Sequence, residues 1–101
     1  MPKPILSAHR REIVKEVIRL AEHRDKAGDG PTTVFINNLP DEDQAMLVAI
    51  MSLGRGDTTD AADGLEELIK EFIDDPGDTG GYLAEKTPLR QYLVDGLKKF
   101  A

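Results

Sequence analysis

Ala45-Met46-Leu47-Val48-Ala49-Ile50-Met51-Ser52-Leu53 runs directly into Gly54-Arg55-Gly56-Asp57. Only Ser52 is polar between Ala45 and Leu53. A helix that is apolar all round must be buried on most sides, so this stretch reads as the central helix of a helical domain. Asp41-Glu42-Asp43-Gln44 precedes it. Asp41 can cap the helix with Gln44 reaching back as in a capping box, and the carboxylates suit the positive end of the helix dipole. Gly54 is expected to stop the helix in a left-handed cap. Arg55 to Thr59 then makes a tight connection.

The flanks repeat the helical pattern. Downstream, Leu65, Leu68, Ile69, Phe72 and Ile73 fall at i, i+3, i+4, i+7 and i+8, which predicts a helix from about Thr59 to Asp74. Asp74-Asp75-Pro76-Gly77-Asp78 breaks it, and Tyr82-Leu83-Ala84 has room for one turn. Thr87 and Pro88 then fit the cap and first position of a last helix, with Leu89, Tyr92, Leu93, Leu97 and Phe100 on its buried side. Upstream, Thr32 to Leu39 is ambiguous: its β-branched residues favour strand, whereas Pro31 suits a helix start. An isolated strand would find no partner, so a short helix is expected. Ser7 can cap a first helix to about Lys26, with Ile13, Val14, Val17, Ile18 and Ala21 on one face. Met1-Pro2-Lys3-Pro4 resists helix, giving an extended leader over residues 1–6. The expectation is one all-α domain over residues 1–101, a compact bundle of about four main helices with short loops.

The composition excludes several function classes. The chain has 101 residues and no cysteine, which removes disulfides, thiolate zinc sites and cysteine nucleophiles. The longest apolar run, Ala45 to Met51, is far short of the roughly 20 residues that span a bilayer. No signal-peptide pattern opens the sequence, so a soluble cytoplasmic protein is expected, with no membrane partner. Net charge is −6, but its sign changes along the chain. Met1–Lys26 holds seven basic and four acidic residues, Ala27–Thr87 three and fourteen, and Pro88–Ala101 three and one. The basic ends are expected to lie against the acidic middle. Arg11, Lys15 and Arg19 form a basic ridge on the first helix, a candidate stripe for an acidic partner. It has no interleaved aromatic residues for base stacking, and the acidic helix expected from about Thr59 to Asp74 would repel phosphate. Nucleic acid is therefore not expected as a partner.

His9 and His23 are the only histidines, and on one helix they stand about 21 Å apart at about 1.5 Å per residue. They cannot share a metal or form a catalytic pair. Asp57, Asp60 and Asp63 have the wrong spacing for a calcium loop. Gly54-Arg55-Gly56-Asp57 follows a helix and lacks the Lys-Ser/Thr of a phosphate loop, so a structural turn is the first reading. No cofactor, metal or catalytic residue is expected.

Leu47 through Asp57 also resembles the signature of a bacterial family known as domain of unknown function 3775. Leu39, Asp43 and Gln44 fit that pattern, as do Tyr82-Leu83, Thr87-Pro88-Leu89, Tyr92-Leu93 and Gly96-Leu97. The resemblance covers about Leu39 to Leu97. It departs at Ser52, where an aromatic is common, and at Glu85-Lys86. It implies a bacterial protein and transfers no activity.

Two function classes follow. The first is a non-enzymatic protein–protein interaction domain, self-association included. The second is a small-ligand or catalytic domain using Arg55, Asp57, Thr58, Tyr82 and Tyr92, which requires the Gly54–Asp57 turn to meet the tyrosine segment.

Overall fold

The computed structural model describes residues 5–22, 31–56, 64–73 and 89–100. They contain five helices and no strand: α1 (Ala8–Glu22), α2 (Pro31–Asn37), α3 (Asp41–Arg55), α4 (Leu65–Ile73) and α5 (Leu89–Leu97). The all-α expectation holds, with α2 as a short helix added to four longer ones. Residues 1–4 of the leader, the extension of the first helix to Lys26, the start near Thr59 of the helix that contains α4, the Tyr82–Ala84 turn and the Thr87-Pro88 start lie outside the described residues.

α3 is the centre. Met46, Leu47, Ala49, Ile50 and Met51 are completely buried, and Ala45 and Leu53 nearly so. α5 and α4 pack on it most extensively, while α1 lies mainly against α5 and then α2 and α3. α1 starts as expected, with the Ser7 hydroxyl accepting the Arg10 backbone N–H at 3.2 Å. Its apolar face, Ile13, Val14 and Val17, is buried. Leu6, ahead of the helix, also joins the core. In α2, Pro31 takes the first helical position and Thr32 and Ile36 point inward.

Two expectations about α3 are corrected. Its N-cap is Pro40, with no side-chain cap, and Asp41 is the first helical residue. Gln44 does reach back, but its Nε2 donates to the carbonyl oxygens of Leu39 at 2.8 Å and Asn37 at 3.4 Å. It thereby ties the α2–α3 corner rather than closing a capping box. At the other end, the left-handed residue is Gly56, with φ of 77°, and its N–H donates to the Leu53 and Ser52 carbonyls. Gly54 is inside the helix, at the crossing with α5. A Cβ there would lie 1.8 Å from the Tyr92 carbonyl oxygen and 2.8 Å from the Gly96 nitrogen. A Cβ on Gly96 would lie 2.3 Å from the Ile50 carbonyl oxygen. The two glycines let the α3 and α5 backbones touch.

Candidate functional site

Arg10 forms the principal polar junction between helices. It belongs to the first turn of α1 and is one turn ahead of Ile13 and Val14, so its stem follows the apolar face inward. Its side chain is only 17% exposed. Nη1 donates to Glu66 Oε1 on α4 at 2.5 Å, and Nη2 to Glu42 Oε1 on α3 at 3.2 Å. One guanidinium thus joins three helices. The Glu66 hydrogen bond raises the Arg10 pKa above its ordinary value despite partial burial, with smaller help from Glu42. The same bond lowers the Glu66 carboxyl. Next to it, His9 Nε2 lies 3.5 Å from Asp43 Oδ2. The histidine is exposed, and Asp43 is buried. Neighbouring residues of α1 therefore meet neighbouring residues of α3.

Sequence reasoning passed over Arg10 in favour of the ridge beside it. The available signal was its position on the line of Ile13, Val14 and Val17, where a charge needs a partner from another helix. In the ridge itself, Lys15 Nζ lies 3.9 Å from Glu12, and Arg19 binds Glu16 of the same helix. The Arg19 hydrogen bond lowers the Glu16 carboxyl and raises Arg19. Arg11 also has a partner. Lys15 and Arg19 each stand beside an acid one turn earlier, which limits the field the stripe presents.

At the other end of α3, the close Gly54–Gly96 crossing brings Arg55 to Tyr92. The guanidinium carbon stands 5.4 Å from the ring centroid, a cation–π distance, and Nη1 approaches the Met51 sulfur at 3.8 Å. Arg55 at the end of α3 and Tyr92 of α5 are therefore neighbours. Asp57, Thr58 and Tyr82 lie outside the described residues. Among the described residues, no three His, Asp or Glu side chains are grouped to hold a metal ion.

A shallow groove of about 470 Å³ opens between α1 and α2, with Leu20, Val34, Phe35 and Leu39 on its apolar walls and Glu16 and Asn38 beside them. Val34 is 56% exposed. No described helix is long and apolar enough to cross a membrane.

These features define a small all-helical fold in which Arg10 and His9 join α1 to its neighbours and other described ion pairs lie within single helices. The chain belongs to the family described as "Protein of unknown function (DUF3775)", which it matches over residues 31–101. That range contains the resemblance seen between Leu39 and Leu97 and begins at the first residue of α2. α1 is outside it. No curated protein and no solved structure matches the chain.

Proposed function

We propose that this chain is a non-enzymatic protein-interaction domain of the cytoplasm, and that its family-matched part accepts an amphipathic helix. One observation carries this reading. A helix from outside the family match, α1, covers a face of residues 31–101 with Val14 and Val17 fully buried, while Arg10 binds acids on α3 and α4. An apolar stripe seated in a receiving face, with a charge fixing its register, is the helix-in-groove mode of recognition. Here the chain supplies its own ligand.

The test uses the isotope-labelled full chain carrying V14D, which places a charge under α1 and drives that helix off. A synthetic peptide of residues 5–22 should restore the wild-type amide shifts of α3 and α5. A chain that keeps α3–α5 folded and ignores the peptide would refute the reading.

A second reading, a small-ligand or catalytic domain at the Gly54–Asp57 turn and the tyrosines, is favoured by the Arg55–Tyr92 stack. Arg55→Ala should then abolish binding of an anionic ligand while leaving the thermal midpoint nearly unchanged. Unchanged ligand binding by that variant removes this reading.

A further inference from the structure

The geometry points to α1 as an exchangeable element: the α1 of one copy docks on residues 31–101 of a second copy, and reciprocal exchange makes a dimer. This rests on the helix-accepting reading above and names the partner as a second copy of this chain.

Three observations converge on that occupant. The receiving body is one stretch of sequence, because α2, α3, α4 and α5 all lie within the family match and α1 lies outside it. Charge is complementary at the junction, since Arg10 of α1 meets Glu42 and Glu66 on a body, residues 31–101, that holds six basic and fourteen acidic residues. The match is also specific in register. Arg10 needs an acid on α3 and another on α4 at the same time, with Ile13, Val14 and Val17 entering the core one and two turns later. A helix with those residues in that order is available on every copy of the chain.

The contacts made by α1 are the same whether it docks on its own body or on another, so exchange creates no new interface that must be optimised. The joining sequence, His23 to Gly30, holds no large apolar side chain. The docked helix is favoured within one chain by its high effective concentration, commonly in the millimolar range for short linkers. Exchange is therefore governed by protein concentration and by whatever weakens docking within the chain.

A charge-swapped pair tests this directly. One full-length variant carries R10E, and the other carries E42R and E66R. In each alone, position 10 faces like charges. In a reciprocal dimer of the two, every such contact is opposite in sign. An equimolar mixture, unfolded and refolded together, should run at twice the 11.1 kDa chain mass. Its melting temperature should exceed that of either variant alone. A mixture that stays at the single-chain mass overturns exchange. Should either variant fail to fold, the cysteine-free background gives a second route. Copies carrying H9C and copies carrying E42C are refolded together and treated with a short bismaleimide. A crosslinked heterodimer supports exchange, and recovery of singly modified monomer alone overturns it. Peptide rescue of V14D separates the two levels: rescue with no dimer ends exchange but leaves helix acceptance standing, whereas failure of both ends both.

Discussion

Gly54 and Gly56 are two residues apart and serve different physical needs. Gly56 occupies the left-handed region, and a Cβ added there would meet nothing within 4 Å. Its replacement by Ala should cost the backbone penalty alone, roughly 1–2 kcal/mol. Gly54 faces the α5 backbone, which cannot move aside as a side chain can, so Gly54→Ala should cost more, at least the roughly 1–3 kcal/mol of core overpacking. Urea unfolding of both variants checks this, and equal losses would mean that the α3–α5 crossing yields easily. Arg10 offers a second test at this scale. The Glu66 pKa is depressed in the folded chain, chiefly by its hydrogen bond from Arg10. The stability this contributes is present above the ordinary glutamate value of about 4.5 and is lost as pH falls through the lower folded value. Because the Glu66 side chain is 63% exposed, the contribution is discounted for solvent screening to less than about 1 kcal/mol. Arg10→Met keeps the buried stem and removes the charge. It should destabilise the protein modestly at pH 7 and flatten the loss of stability as pH falls below the ordinary glutamate value of about 4.5. An unchanged acid profile would show that the Arg10–Glu66 bond does not contribute in solution.

At the scale of elements, the apolar stretch of α3 was enough to locate the core. Leu47→Ala should cost about 2–5 kcal/mol, the range for a fully buried large-to-small change. A loss near 0.5 kcal/mol, roughly that of surface substitutions, would place α3 at the periphery. The helical periods of α1, α4 and α5 were equally legible, because burial against one neighbour imposes a stripe on the sequence. What the sequence could not show was which glycine ended α3. A glycine required by a helix crossing and one required by positive φ are the same letter, and only the position of α5 separates them. The corner between α2 and α3 was obscured for a related reason. Gln44 has the spacing of a capping-box residue, yet Pro40 occupies the N-cap, and the amide turns to the carbonyls of Leu39 and Asn37. At the candidate sites, the ridge was visible as a run of bases four apart. Arg10 was not visible, since its acids come from α3 and α4, 32 and 56 residues away in sequence.

Across the whole molecule, the helices differ in how firmly they are held. α3 is enclosed by α5 and α4, and its interior residues have no contact with water. α1 rests on the outside of that group through one apolar face and the Arg10 junction. Elements with fewer buried contacts open at lower free energy than the core and can do so without global unfolding. Amides in α1 should therefore exchange with solvent through a sub-global opening, less costly than the opening that exposes α3. Native-state hydrogen exchange at increasing denaturant would read this as two groups of amides. Those of α1 should have a small dependence on denaturant, because little surface is exposed when that helix lifts. Those of Met46 to Leu53 should follow global unfolding. The distinction bears on function, since a helix that leaves its face alone can be replaced there by another. If α1 and α3 exchange with the same free energy and the same denaturant slope, the two are one cooperative unit. Helix exchange would then require complete unfolding, and α1 would be simply the outermost part of an indivisible core.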